Sequence, residues 1–393
     1  MSFHNKAVVL NLIYWSKNGI SRTQLYEKTD IRPTTISRLT SELLSEGLIR
    51  ICGYAQSTGG RRQELLSINR KAGYVIGIDI GAAEIVGLTS DLKAGIIQKI
   101  VQPTSSKGKQ AILSQVENIV TALSKEISNI IGLGIVTVGL LDTRKGVLRL
   151  AANINGWVDV SLKVWAEEKF DLPVFIEGSV KAMALCEKWY GAARNAEDFI
   201  LVNIGAGVGC SVISGGKIHR GVSETAGEIG HIFIKEDTPL CRCGHRGCLE
   251  TLISGPAIAR TARDSLSKGI PSSICPEGKN PDEVTAKDVA EAAHRGDKLA
   301  TEIFEKAGQY LGYGLTTLIN LINPEMIIIG GGVSKAGRLL LEPVEKTVQQ
   351  CALQIPRNAV QIRLSSFGDL QGALGATTLV LKELLKIPQL PAM

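Results

Sequence analysis

Apolar positions in the first 70 residues follow the spacing of an α-helix in three short segments and that of β-strands in two more. The helices are predicted at 5–17, 21–29 and 33–47, and the strands at 48–51 and 64–68. Glycine and serine separate the two strands, which is typical of a turn. Two short helices joined by a tight turn and followed by a hairpin predict a winged helix-turn-helix over residues 1–70.

The second and third helices carry recognisable end signals. Ser21 and Gln24 form a capping box, Pro33 suits the first position of the third helix, and Gly47 suits its end. The apolar stripe of the third helix leaves polar side chains facing outward, namely Thr34, Thr35, Ser37, Arg38 and Ser41. Such side chains suit the base edges and phosphates of a duplex.

From residue 74 onward, apolar strands alternate with helical segments, which predicts an α/β body. A strand, a glycine loop and a hairpin occur in this order at 75–100 and again at 200–220. This duplication predicts two similar lobes with a ligand cleft between them. Three glycine clusters follow buried strands and have the composition of phosphate-binding loops, although glycine after a strand is also common in ordinary turns. Their residues are Asp79, Gly81, Gly205, Gly207, Gly209, Gly330, Gly331 and Gly332.

Charge is concentrated at the N-terminus. The net charge is +6, and residues 1–70 carry ten Lys or Arg against five acids. A small basic unit on a neutral body indicates contact with a polyanion, the alternative being a solvated basic face. The residues predicted to contact DNA are Ser21, Arg22, Thr34, Thr35, Ser37, Arg38, Ser41, Arg61 and Arg62.

Eight cysteines in 393 residues are too few for a disulfide scaffold, and no apolar stretch is long enough to span a membrane. The N-terminal segment fits an amphipathic helix better than a signal peptide. These features predict a cytoplasmic protein.

Three of the cysteines lie close to a histidine. The spacing His231-x9-Cys241-x-Cys243-x4-Cys248 supplies one imidazole and three thiolates, which is the composition of a closed structural zinc site. We expect one zinc ion per chain. His245 is a spare imidazole beside this set, and the alternative is three unrelated buried cysteines.

Several motifs resemble those of the ROK family of repressors and sugar kinases, especially its sugar-responsive repressors. They are Asp79-Ile80-Gly81, Asn153-x-x-Gly156-Trp157, Gly205-x-Gly207-x-Gly209, Gly330-Gly331-Gly332 and the block from Glu228 to Glu250. The resemblance covers essentially the whole chain. It implies a two-lobed, actin-like sugar-kinase fold behind the winged helix, in which sugar hydroxyls are bound by Asn153, Glu228, His231 and Glu250.

The sequence departs from that family's kinases at two places. Gly178 and Ser179 stand where the kinases carry the sugar-binding Asn and the catalytic Asp, and a serine hydroxyl is not basic near neutral pH. Glu84 ends a loop that reads Gly-Gly-Thr-Lys in the kinases, and its charge would repel a phosphate. The glycine loops are therefore interpreted as vestigial nucleotide loops, and no catalytic residue is predicted.

We expect three domains: the winged helix at 1–70, a first lobe at 71–188 joined by a C-terminal helix at about 376–393, and a second lobe with the zinc site at 189–375. The predicted function is a DNA-binding regulator, a repressor of carbohydrate uptake or catabolism genes. Its expected partners are double-stranded operator DNA, a sugar, sugar derivative or protein effector, and further copies of itself in a homodimer or larger homo-oligomer. The alternatives are an active ATP-dependent sugar kinase and a constitutive DNA-binding protein with a vestigial sensor.

Overall fold

The computed structural model describes residues 2–56 and 62–385. Within these ranges the helices are α1 (Ser2–Trp15), α2 (Arg22–Thr29), α3 (Pro33–Ser45), α4 (Lys109–Ser124), α5 (Leu162–Phe170), α6 (Ser179–Tyr190), α7 (Glu250–Ile253), α8 (Gly255–Ser267), α9 (Ala286–His294), α10 (Lys298–Ile322), α11 (Arg338–Cys351), α12 (Gln354–Ala359) and α13 (Gln371–Leu385). The strands are β1 (Ile49–Tyr54), β2 (Glu64–Ile68), β3 (Tyr74–Ile80), β4 (Glu84–Asp91), β5 (Ile96–Pro103), β6 (Ile130–Thr137), β7 (Leu140–Asp142), β8 (Val147–Leu150), β9 (Val158–Val160), β10 (Val174–Gly178), β11 (Phe199–Ile204), β12 (Val208–Ser214), β13 (Lys217–Ile218), β14 (Met326–Gly330) and β15 (Gln361–Leu364).

Helices α1–α3 and strands β1–β2 form a unit that we call the winged-helix unit. The predicted capping box at the start of α2 is present, with Ser21 accepting a hydrogen bond from the backbone N–H of Gln24 at 3.2 Å. Antiparallel pairing of β1 with β2 places Ile49 opposite Ile68. The predicted helices, turn and hairpin are therefore confirmed. The tip of the hairpin, with Arg61, lies outside the described residues.

The body contains two five-stranded sheets with the same internal order, which confirms the predicted duplication. The first sheet runs β10-β6-β3-β4-β5 and the second β15-β14-β11-β12-β13. In each sheet the leading strand, β3 or β11, pairs antiparallel with the strand that follows it and parallel with a later one. The chain thus builds the same hairpin and crossover twice, as a two-lobed actin-like fold requires.

The C-terminal helix α13 returns to pack on the first sheet, as predicted. It begins at Gln371 and is described as far as Leu385. A side chain at Gly134 of β6 would lie only 1.9 Å from the backbone oxygen of Ala376, so glycine is required for this close approach. No helix in the described ranges is long and apolar enough to cross a membrane.

Candidate metal centre and adjoining cleft

The four predicted metal ligands converge on one point. The ligand atoms of His231, Cys241, Cys243 and Cys248 all lie within 4.8 Å of one another. The sulfurs of Cys243 and Cys248 are 3.6 Å apart, and two Zn–S bonds of about 2.3 Å at the tetrahedral angle would hold them about 3.8 Å apart. The donor set and its spacing therefore fit zinc.

A β-bridge and several hydrogen bonds hold the loop that carries these ligands. Phe233 and Cys248 form an isolated antiparallel bridge, which brings the His231 end of the loop against its last cysteine. Thr238 is buried, and its hydroxyl accepts a hydrogen bond from the backbone N–H of Gly247 at 2.5 Å. The backbone N–H of Cys241 donates to the carbonyl of His245 at 2.8 Å. A metal ion would add to the rigidity of this irregular segment.

The thiols differ in how readily they ionise. The backbone N–H and ring of His245 hold the pKa of the Cys243 thiol down to about 6, whereas burial raises the pKa of the Cys248 thiol to about 12. Cys243 therefore offers a thiolate near neutral pH. A metal ion must displace a proton from Cys248, so metal affinity should rise with pH.

His231 presents its two ring nitrogens to different partners. Nδ1 lies 3.6 Å from the sulfur of Cys241, on the metal side. Nε2 lies 3.8 Å from a carboxylate oxygen of Glu228. A metal at Nδ1 would fix the ring so that Nε2 keeps a set orientation towards Glu228. The ring of His245 lies 3.6 Å from Cys243 but outside the group of four.

The structure brings Asn153 and Glu250 together across the loop after β11. A side chain at Gly207 would lie 2.7 Å from Glu250 Oε2 and 3.2 Å from Asn153 Nδ2. Glu250 accepts a hydrogen bond from the backbone N–H of Val208 at 2.9 Å, and Arg242 donates to Asn153 Oδ1 from the metal loop. These contacts bring Asn153, Glu250 and the metal loop together beside Gly207. That the four predicted sugar-binding residues line one cleft stays a prediction.

Ser179, the first residue of α6, is hydrogen-bonded to a carboxylate. Its hydroxyl donates to Asp79 Oδ1 at 2.8 Å, and both side chains are buried. Burial raises the pKa of Asp79 to about 6, and the hydrogen bond from Ser179 offsets part of that rise. Gly178 adds no side chain here, so Ser179 serves as a structural partner of the first glycine loop.

Asp79→Asn is expected to stabilise the protein at neutral pH. Because the folded pKa of Asp79 exceeds its unfolded value, the folded state binds the extra proton, and stability falls as pH rises from about 4 to 6. At pH 7 this costs up to about 3 kcal/mol, which the isosteric amide removes. Urea unfolding of both proteins between about pH 4 and 7 measures the difference in slope. Glu84→Gln, an exposed carboxylate of the same loop, is the control, and an unchanged slope in Asp79→Asn would contradict the assignment.

An ion-pair network, which sequence analysis did not find, joins the two lobes. Glu177 at the end of β10 is buried, with 3% of its side chain exposed, and both its oxygens pair with the guanidinium of Arg220. Arg220 also pairs with Glu224 at 3.2 Å, and Glu224 accepts from the hydroxyl of Thr143 at 2.6 Å. The segment 220–226 leads directly into Glu228, so this network anchors the chain just before that residue.

The glycine loops follow strands β3, β11 and β14, but their contacts do not favour nucleotide binding. Gly81 donates its backbone N–H to the carbonyl of Glu84 at 3.0 Å, which closes the first loop on itself, and the Glu84 side chain is exposed. Gly331 packs against Asn203, whose buried Oδ1 has no hydrogen-bond partner among the described residues. The assignment of these loops as vestigial stays a prediction.

Most of the predicted DNA-contacting side chains of α3 lie on its open face. Thr34, Ser37, Arg38 and Ser41 are exposed, and Thr35 is half-buried. Arg38 pairs with Glu42 one turn along the helix. This face is therefore free to meet a duplex.

The other predicted DNA contacts have mixed positions. Ser21 is 1% exposed and caps α2, which argues against the direct side-chain contact predicted for it. Arg22 pairs with Glu64 at 2.6 Å and donates to Thr40 at 2.9 Å, so it braces the wing against α3. Arg62 is exposed at the base of the wing.

Comparison with known proteins places these features in one family. The ROK family profile matches residues 75–383, and the chain belongs to the ROK family. It is 32% identical over 390 residues to the xylose repressor of Caldicellulosiruptor bescii, covering 98% of this chain and 97% of the relative. It is 30% identical over 387 residues to the DNA-binding transcriptional dual regulator NagC of Escherichia coli K12, covering 97% of this chain and 93% of the relative.

Solved structures show the same fold. A ROK family transcriptional regulator, a homolog of the E. coli MLC protein, superposes with a TM-score of 0.84 at 24% identity, covering 98% of this chain and 96% of that one. A ROK family glucokinase from Streptomyces griseus, in complex with glucose and AMPPNP, superposes with a TM-score of 0.73 at 30% identity. It covers 78% of this chain and 99% of the glucokinase. The full-length match to the regulator includes the winged-helix unit.

Proposed function

We propose that this protein is a DNA-binding transcriptional regulator, a repressor of genes for carbohydrate uptake or catabolism, whose ROK body senses an effector. The single observation that carries the proposal is the exposed polar face of α3 within a basic winged-helix unit. The matched relatives named as repressors, over nearly the full chain, support it. In two copies of the chain, two α3 helices would enter successive major grooves of an operator.

The cleft beside the metal centre is proposed to bind the effector. Glu228, Glu250 and His231 offer two carboxylates and an imidazole, which suit the hydroxyls of a sugar or sugar derivative. Zinc held by the four ligands would act structurally, fixing the ring of His231 and the loop that carries Arg242. The effector would act by binding one lobe arrangement better than the other.

The body is proposed to lack kinase activity. Ser179 is not a base, and its hydroxyl is already bound to Asp79, so the general-base contribution of about 10²–10⁴ in rate is missing. Incubation with ATP and glucose, xylose or N-acetylglucosamine should give no sugar-dependent ADP. Sugar-dependent ADP release at enzyme-like rates would favour the kinase alternative instead.

Arg38→Ala tests the DNA-binding proposal. We expect affinity for a duplex spanning the DNA upstream of the protein's own gene to fall by about 1–3 kcal/mol, with relaxed preference at one base position. Fluorescence anisotropy at fixed salt measures this change, because phosphate contacts make affinity salt-dependent. A loss that is equal on all sequences would assign Arg38 to the phosphate backbone.

A matched control exists in the second lobe. Arg338 of α11 is exposed and pairs with Glu342 one turn along its helix, as Arg38 does with Glu42. Arg338→Ala should leave DNA affinity unchanged. If the unaltered protein bound no duplex, or if both variants lost affinity equally, the proposed role of α3 would be wrong.

A further inference from the structure

The winged-helix unit shares one apolar core with the body. Tyr14 and Trp15 of α1 pack edge-to-face on Trp189 of α6, with ring centroids 5.9 Å and 5.2 Å away. The hydroxyls of Tyr14 and Tyr190 are 2.9 Å apart. Tyr14 is 1% exposed and Trp189 is 7% exposed, so this contact excludes water. The end of α6 is therefore a docking point for α1.

The end of α13 supplies a second docking point. Leu381 and Leu385 belong to the same buried cluster as the core of the winged-helix unit. Asn11 of α1 is fully buried and donates to the backbone oxygen of Leu385 at 3.3 Å. Two helices of the body, and not a flexible linker alone, thus set the position of α1.

The same two helices also hold the segments where the chain crosses between the lobes. Glu187 of α6 is 1% exposed and accepts hydrogen bonds from both crossings. The backbone N–H of Ala192, in the segment that leaves the first lobe, donates at 3.0 Å. Ser365 and Gln371, in the segment that returns to it, donate at 2.6 Å and 2.9 Å. We call these four residues the hinge cluster.

The first residue of α6 contacts the first glycine loop. Ser179 is bound to Asp79, and Gly372 near the start of α13 lies against that same carboxylate. Helix α13 therefore contacts the hinge cluster at its start and α1 at its end, whereas in α6 the hinge contact of Glu187 and the α1 contact of Trp189 lie two residues apart. An α-helix of 12 residues is about 18 Å long and moves largely as a rigid body, so a displacement at one end reaches the other.

We propose that Trp189 and Tyr190 are positioning residues for the winged-helix unit, and that α6 and α13 transmit the interlobe angle from the hinge cluster to α1. This rests on the proposed function, since it supplies the regulatory link between the effector cleft and the DNA-reading face. Closure of the lobes on an effector tilts the two helices, and the aromatic contact turns that tilt into a change in the direction of α3.

Hydrogen exchange on the full-length protein tests this link without DNA or ligand. Trp189→Ala should accelerate amide exchange about tenfold, both in α1 and in segment 365–376, because Ser365 and Gln371 of that segment are bound to Glu187, two residues from Trp189. Trp189→Phe retains an aromatic ring and should restore most of the protection in both places. In the reverse direction, Glu187→Gln loses an acceptor for the Ala192 N–H, and it should accelerate exchange in α1.

Trp165→Ala is the matched control. Trp165 is a half-buried tryptophan of α5 that packs edge-to-face on Phe170 at 5.8 Å, away from both docking points. Its removal should change exchange in α5 and leave α1 and segment 365–376 as they are. If Trp189→Ala fails to fold, Tyr190→Phe, which removes only the hydroxyl partner of Tyr14, is measured at the same segments.

The inference is overturned if Trp189→Ala, or Tyr190→Phe in its place, changes exchange only around α1 and the end of α6, or if Glu187→Gln leaves α1 unchanged. A role of Trp189 confined to holding α1 would give that pattern. Since neither arm uses DNA, failure here is distinct from failure of the proposed function, which the Arg38 experiment detects.

Discussion

Cys248→Ser should remove zinc from the purified protein and destabilise the second lobe by on the order of 5 kcal/mol. Cys248 is buried, and its sulfur lies 3.6 Å from that of Cys243. A serine hydroxyl in its place would leave the metal with three protein ligands at a buried site. We expect the loss of stability to be smaller than the zinc-binding free energy of a peptide that folds only with zinc. The second lobe also has a large apolar core that does not depend on the metal. Metal content by atomic emission and thermal unfolding with and without chelator measure the effect.

Two controls define the ligand set. Cys351 is an exposed cysteine outside the cluster, and Cys351→Ser should retain metal and stability. His245→Ala should also retain the ion, since the His245 ring lies outside the group of four. Stoichiometric zinc in Cys248→Ser, or its loss from His245→Ala, would show that the ligand assignment is wrong.

Arg220→Met should destabilise the protein by about 3–5 kcal/mol, because it leaves the carboxylate of Glu177 buried without its counter-charge. Glu177 is 3% exposed and has no other cation within ion-pair distance among the described residues. The same change should weaken effector binding, since segment 220–226 leads into Glu228. Urea unfolding measures the loss of stability, and calorimetry with a binding sugar measures the loss of affinity.

The double variant Arg220→Met/Glu177→Gln separates charge from packing. With the buried charge gone, we expect a good part of the lost stability to return, which a double-mutant cycle quantifies. If the double variant were as unstable as Arg220→Met alone, the cost would arise from lost packing of the arginine stem. The ion pair would then have little energetic importance.

The winged-helix unit could be predicted from sequence because its signals are local. The capping box at Ser21, the proline at the start of α3 and the two-residue alternation of β2 all lie within a few positions of the structure they specify. The repeated order of the two sheets was predicted for a related reason, since each copy repeats the same strand, loop and hairpin. Local chemistry therefore specifies both the elements and their duplication.

The metal group could be predicted because its ligands span only 18 residues of chain. The interlobe network could not, because Glu177 and Arg220 are 43 residues apart, and surface and buried charges look alike in a sequence. Arg242, which reaches Asn153 across 89 residues, was missed for the same reason. Ser21 shows the opposite error. Its hydroxyl was predicted to contact DNA, but the side chain is buried and caps its own helix.

The shared core between α1 and the body limits how such proteins can be recombined. A winged helix on a loose tether can be exchanged between sensors by cutting at the linker. Here a chimera must also carry partners for Tyr14, Trp15 and Asn11, which the body supplies from Trp189, Tyr190 and the end of α13. Swapping at residue 70 alone would expose these rings to water and leave the buried amide of Asn11 without its acceptor on Leu385.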